Sequence, residues 1–341
     1  SPPPCAYRMR TSYRRDHDPS PQPGHRQFNL SNDYGKLSVW PDGYYVTYNM
    51  FTAGPQPRTG LGSKVCALDR ARMLTGAAAT QQCFDVNIDG FIPADLDGST
   101  PPPAGAPNVQ VAPRLSNTTL AYTKYHVDWG NPAQSTVTGG AINVAPYTVA
   151  CAGQPRLTCV PQGGTTQQLE TFSERMMYRL AYRNYGIHES LVVNHSINAG
   201  TSVGVRWYEL RLVGGDPVVH QQGTYAPDGT FRWMGSVAQD RAGNIALGYS
   251  QSSSTTHPSI RFTGRLANDP LGEMTLGETI VITGGGSQIG SARWGDYTSM
   301  AVDPDDDCKM WYTNQYIPAD GVANWHTRIA SFTLPTCLSS S

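Results

Sequence analysis

The chain has 341 residues, a formal net charge of −1 and only 15% charged residues, alongside 35 Gly, 26 Pro and 18 Tyr. A near-neutral balance without a basic stripe gives no footing for a nucleic-acid partner or an anionic membrane surface. No apolar run approaches the roughly 18–20 residues that span a bilayer, so membrane insertion is not expected either. Much Gly, Pro and aromatic content with few 3.6-residue apolar periods favours many short strands joined by tight turns.

Residues 1–25 are rich in Pro, Arg and Asp and show no alternation that could bury a face, which predicts an irregular N-terminal arm. The remainder, 26–341, reads as one domain. Alternation begins with HRQFNL and continues in NDYGKLSVWPDGYYVTYNMF, a hairpin whose Pro-Asp-Gly turn supplies the needed backbone conformations. SKVCALDRARMLTG predicts a strand end and one short helical turn. FDVNIDGFIPADLDGSTPPPAGAPNVQVAP opens through Asp89, Asp95 and Asp97 and carries a Pro-rich loop, and LAYTKYHVDW follows it. From Gly139 to Gln168 the pattern is less regular.

Regularity returns in ERMMYRLAYRNYGIHESLVVNHS with VGVRWYELRL, in FRWMGSVAQDRAGNIALGYSQSS with PSIRFTGRL, and in RWGDYTSMAVDPDDDCKMWYTNQY with WHTRIASFTL. These units open near Asp33, Asp89, Arg175, Arg232 and Arg293, a spacing of roughly 55–65 residues except across the irregular region. A repeat of that length, about four strands with aromatics at fixed places, predicts the blades of a β-propeller. Five blades are expected, or six if residues 137–170 form another. A first strand near Arg26 to Leu30 would close the ring onto the last blade and remove exposed edges. A β-sandwich is the competing architecture.

Seven cysteines offer three short-range pairs, Cys66 with Cys83, Cys151 with Cys159 and Cys308 with Cys337, leaving Cys5 over. None lies in a C-x-x-C arrangement and no histidines stand at zinc-finger spacing, so disulfides formed in an oxidising compartment explain them better than metal. This predicts a secreted protein whose leader has been removed.

In a propeller the first strand of each blade lines the central channel, and its opening residues stand at the mouth. The hairpins bring there Asp33 and Tyr34, Asp89 or Asp95, Arg175 with Tyr178 and Arg179, Arg232 with Trp233, and Arg293 with Trp294, Asp296 and Tyr297. Carboxylates, guanidinium groups and aromatic faces together suit a sugar. Glycoside cleavage needs two carboxylates about 5–10 Å apart. Asp33 and Asp296 are the expected pair, with Tyr297 beside them and Asp89, Asp95 and Glu174 in reserve. Tyr34, Asp95, Arg179, Arg232, Trp233, Arg293 and Trp294 are the expected substrate-binding residues, and converging arginines would suit an acidic sugar. The competing assignment pairs these arginines and carboxylates as buried structural ions.

A lyase would instead use His188 or His195 with a tyrosine, though satisfied structural histidines are favoured. Asp303, Asp305, Asp306 and Asp307 could ligate calcium but lack the spacing of an EF-hand, and a solvated turn is favoured; no cofactor is otherwise expected. There is no G-x-S-x-G elbow, H-E-x-x-H or phosphate loop. Asn29, Asn117 and Asn194 head glycosylation sequons that matter only in a eukaryotic secretory host.

HESLVVNHS, GVRWYELR, QGTYAPDG, FRWMGSVAQDRAGNIALGYS, RWGDYTSMAVDPDDDC and WHTRIASF, between Phe172 and Cys337, resemble a group of large secreted bacterial proteins with sialidase-like β-propellers. VWPDGYYVTYNMF and PADLDGSTPPPAG extend the likeness upstream. The resemblance implies the propeller fold and secretion rather than a reaction, and the S-x-D-x-G-x-x-W boxes of sialidases are represented only by APDGTFRW. Asp33 followed by Gly43, Tyr44 and Tyr45 also looks like the first blade of five-bladed arabinanase-type hydrolases. The expected function is a secreted carbohydrate-acting propeller that cleaves glycosides; the alternative is a non-catalytic lectin-like or adhesion module.

Overall fold

The structure, a computed structural model, describes residues 30–53, 58–295 and 297–337. The predicted arm, Cys5, the strand residues 26–29, the sequon at Asn29 and Asp296 lie outside the described residues.

The first meander is β1 (Leu30–Trp40), β2 (Gly43–Thr52), β3 (Gly60–Leu68) and, after the short helix α1 (Arg70–Leu74), β4 (Gln81–Val86). Asp69 caps α1 by accepting a hydrogen bond from the Arg72 amide at 3.1 Å. The second is β5 (Ile92–Asp97), β6 (Asn108–Ser116), β7 (Thr119–His126) and β8 (Thr136–Asn143). A separate hairpin, β9 (Thr158–Gln162) with β10 (Thr165–Glu170), precedes the third meander. That third unit is β11 (Met177–Asn184), β12 (Glu189–Ala199), β13 (Ser202–Val213) and β14 (Asp216–Tyr225). The fourth is β15 (Phe231–Gln239), β16 (Ile245–Ser253), β17 (Thr256–Arg265) and β18 (Leu276–Ile282). The last is three-stranded, β19 (Ser299–Val302), β20 (Lys309–Tyr316) and β21 (His326–Thr333).

Within each meander the strands pair antiparallel in chain order. The first strands of successive meanders pack side by side, β1 on β5, β5 on β11, β11 on β15 and β15 on β19. β5 and β11 even pair in parallel, Leu180 opposite Ala94 through Arg183 opposite Asp97. Tyr34 of β1 meets Tyr297, just ahead of β19, with ring centroids 5.4 Å apart. First strands running one way around a ring, each starting its own meander, define a β-propeller. The anticipated closing strand falls outside the described residues except for Leu30, which pairs with Thr52.

The apolar core lies between neighbouring sheets. Trp40, Tyr45, Tyr125, Tyr182 and Leu210 form one cluster spanning the first three meanders. Val192, Trp207, Val237 and Leu247 fill the next gap, and Ala246, Ile260, Met310 and Tyr312 the last. The final two sheets approach closely at Gly248, where an added methyl carbon would lie 2.4 Å from the Tyr312 ring. The region of less regular pattern, Gly139 to Gln168, is more ordered than its sequence predicts: 136–143 completes the second meander as β8. β9–β10 turns on Gly163-Gly164, with Val160 and Leu169 buried against Trp233 and Trp294.

All three predicted disulfides form. Cys66 and Cys83 are directly opposed on β3 and β4, Cys151–Cys159 secures the approach to β9, and Cys308–Cys337 ties the β19–β20 turn to the segment after β21. Replacing Cys308 and Cys337 together by serine is expected to cost about 2–4 kcal/mol, read as a lower urea midpoint.

Candidate functional site

At the starting ends of the first strands the regular ladders break. β1 shifts register between Asp33 and Lys36, with Tyr34 at φ 57°, and β15 shifts between Trp233 and Ser236, with Met234 at φ 50°. β11 shifts between Met177 and Ala181. Such bulges re-aim side chains, and left-handed non-glycine residues hold stored strain that concentrates at functional sites.

The bulge in β1 turns Tyr34 and Lys36 to the buried side and leaves Asp33 exposed. The Tyr34 hydroxyl donates to the Met176 carbonyl at the start of β11. The Lys36 ammonium lies 3.7 Å from the Tyr34 ring centroid and 4.0 Å from that of Tyr297. Arg175 sits 4.7 Å from the Tyr34 centroid and 4.9 Å from that of Phe172. Desolvated cations over aromatic faces contribute about 2 kcal/mol each. Burial opposes the charge on Arg175, but the Glu174 carboxylate 3.0 Å away, with Tyr34 and Tyr297, outweighs it and holds the guanidinium above the ordinary arginine range.

Glu170, at the end of β10, is fully buried. Its Oε2 accepts from Arg156 Nε and Nη2 at 2.9 and 2.7 Å, and its Oε1 lies 3.6 Å from the exposed Arg293. A cavity of about 480 Å³ opens beside this cluster, lined by Gln288, Arg293, Tyr297, Asn314, Gln315 and Trp325 among others. Trp325 is 53% exposed, a free aromatic face next to amide and hydroxyl groups.

The other expected substrate-binding residues stand elsewhere. Arg179 is 5% exposed, its Nε on Asp95 at 2.9 Å and its two terminal nitrogens on Asp97 at 2.8 and 2.7 Å. Arg232, 1% exposed, holds Asp228 and Glu278, each at 2.8 Å. Trp233 and Trp294 are buried under β9–β10, although an edge of Trp294 lines the cavity and its Nε1 donates to Ser250. The structure thus gathers Tyr34, Tyr297 and Arg293 at the mouth and commits Asp95, Arg179 and Arg232 to internal ion pairs.

Lys36, Phe172, Glu170 and Trp325 were not singled out from sequence. Lys36 had a signal, since it falls between Tyr34 and Ser38 on the face of β1 that ends in buried Trp40. Glu170 and Phe172 follow the Gly-Gly turn of a hairpin that could have been recognised. Trp325, in a polar turn, had none.

The acidic turn, Asp303 to Asp307, lies at the opposite end of β19. Asp303 accepts from the Asp305 amide and Trp311 Nε1, Asp306 from the Cys308 and Lys309 amides, and Asp307 receives Arg183 through two bonds of 2.6 Å. Among the described residues no group of three or more His, Cys, Asp or Glu could hold a metal ion. No helix among them is long and apolar enough to cross a membrane.

His195 is sealed away from the mouth, its Nε2 2.9 Å from the Tyr208 hydroxyl and its ring stacked on that tyrosine. Burial, with the nearby positive charge of Arg206, pushes its imidazole down to about 3. Because the folded value lies below the unfolded one, the unfolded chain binds the extra proton between them. Stability is therefore full above about pH 6.5 and falls toward pH 3, by at most about 1.4 kcal/mol per pH unit. Urea midpoints for His195→Gln between pH 7 and 4 are expected to fall less steeply than those of the parent chain.

Fold and site together define a β-propeller with an aromatic, cation-lined cavity at one end of its ring. No protein-family profile matches the chain, and no curated protein matches it. Among solved structures it is similar to a Trypanosoma rangeli sialidase at 8% identity and TM-score 0.40, over 83% of this chain and 44% of that one. It is similar to a Penicillium chrysogenum α-L-arabinanase complexed with arabinobiose at 11% identity and TM-score 0.38, over 90% and 94%. An α-L-arabinofuranosidase from Lactobacillus brevis is similar at 12% identity and TM-score 0.35, over 91% and 93%.

Proposed function

We propose that the protein is a secreted five-bladed propeller, one domain from residue 26, that binds a carbohydrate at the mouth and cleaves a glycosidic bond there with Asp33 and Asp296. The observation carrying this reading is the cavity itself, where Trp325 offers a ring face in a wall shared with Tyr297, Arg293, Gln288, Asn314 and Gln315. Sugar rings stack on such faces while their hydroxyls take directed hydrogen bonds from amides and guanidinium groups. Three disulfides support an oxidising compartment.

A second reading, binding without cleavage, draws on Glu170 and Glu174, both held in ion pairs with arginines. A polysaccharide and glycan screen read for both binding and new reducing ends separates the two. Retention of a glycan with release of reducing ends is the expected result; retention without cleavage across the panel selects the lectin-like reading. Trp325→Ala is expected to weaken glycan retention about tenfold, the loss of one stacked ring at roughly 1–1.5 kcal/mol.

A further inference from the structure

A second cavity, of about 530 Å³, opens on the same end of the ring but shares no lining residue with the first. It lies between the β6–β7 turn, the linker 145–149 and the outer strands of the third meander. Asn117, Thr148, Asn198, Arg206 and Thr224 contribute polar groups to its wall.

Arg206, on β13, is the charged residue of that wall and is 9% exposed. Its hydrogen bonds go to neutral oxygens, Nε to Thr224 Oγ1 at 2.7 Å and Nη1 to the Ala145 carbonyl at 3.3 Å. Among the described residues it takes part in no ion pair. Other buried arginines are treated differently: Arg179, Arg183 and Arg232 each grip carboxylates. Arg265, also without a carboxylate, is closed in by the Gln221 side chain and the carbonyls of Asp269, Pro270 and Glu273. Arg206, by contrast, lines an open cavity with its counter-charge missing. Beneath it His195 and Tyr208 are uncharged, so nothing in the floor neutralises it.

A guanidinium taken out of water without a counter-charge is costly, and an oxyanion supplies that charge through paired hydrogen bonds. We propose that the Arg206 cavity is a binding site for an oxyanion, the carboxylate, sulfate or phosphate of a ligand, with Thr224, Thr148 and Asn198 completing its shell. The proposal is independent of what happens at the mouth.

The test uses sodium sulfate, sodium phosphate and sodium glucuronate against sodium chloride at equal ionic strength, with glucose as the neutral control. Thermal unfolding and equilibrium dialysis are read on the parent chain, Arg206→Gln and Asn198→Glu. At least one oxyanion is expected to bind and raise Tm in the parent chain. Arg206→Gln is expected to weaken that binding at least tenfold. Asn198→Glu, an exposed rim position, supplies the missing carboxylate internally and is expected to raise Tm while abolishing the response. Glucuronate outperforming sulfate and phosphate marks a carboxylate-bearing sugar as the source, and the reverse a free anion or an ester. The proposal is overturned if no oxyanion exceeds chloride, if glucose matches glucuronate, or if Asn198→Glu responds as the parent chain does. The last arm decides even where Arg206→Gln fails to fold.

Discussion

Arg179→Met is expected to destabilise the fold by about 3–5 kcal/mol, because it leaves the mostly buried carboxylates of Asp95 and Asp97 without their cation. Three meanders meet at this point. Asp95 Oδ1 also accepts the Val39 amide of β1 at 2.9 Å, while Arg179 reaches from β11 to β5. Methionine keeps much of the side-chain volume, so the loss reports charge rather than a cavity. Urea unfolding checks the value, and Asp95→Asn with Asp97→Asn in the same background should recover part of it by removing the stranded charges. A change below about 1 kcal/mol, the range of an exposed ion pair, coupled to lost glycan binding would return Arg179 to the mouth.

That outcome bears on what the sequence could reveal. Alternation and turn residues made the meanders legible, and cysteine spacing made the disulfides so, because both are written within short stretches. The partner of Arg179 is not, since Asp95 lies 84 residues away and is brought alongside only by the parallel register of β5 and β11. Arg232 could have been read locally, with Asp228 four residues before it, but its second partner Glu278 comes from β18. Charge type and strand position mark a residue as placed near the channel. Whether it faces solvent or a carboxylate depends on register, which alternation alone leaves open. The bulges in β1 and β15 are harder still, since Tyr34 and Met234 take left-handed conformations that no glycine announces.

Asp33→Asn and Asp296→Asn, each alone, are expected to lower glycoside cleavage by about 10²–10⁴-fold, the contribution of a positioned acid or base, while glycan binding persists. Asp33 is exposed at the point where β1 bulges, one oxygen accepting the Tyr34 amide at 2.7 Å. The asparagine retains that acceptor and removes the proton-carrying group, so fold and function separate in this variant. Cleavage rates, with binding measured in parallel, check it. The stereochemistry of the product adds a constraint, since retention requires the two carboxyl groups about 5 Å apart and inversion a wider gap. Lys36→Met is a companion variant on the same strand as Asp33. It removes the ammonium lying against Tyr34 and Tyr297, and it is expected to lower stability by about 2 kcal/mol through the lost cation–π contacts. If both aspartate variants keep parental cleavage rates, the bond is broken by other groups, and the arginine-held Glu170 and Glu174 become the carboxylates to substitute next.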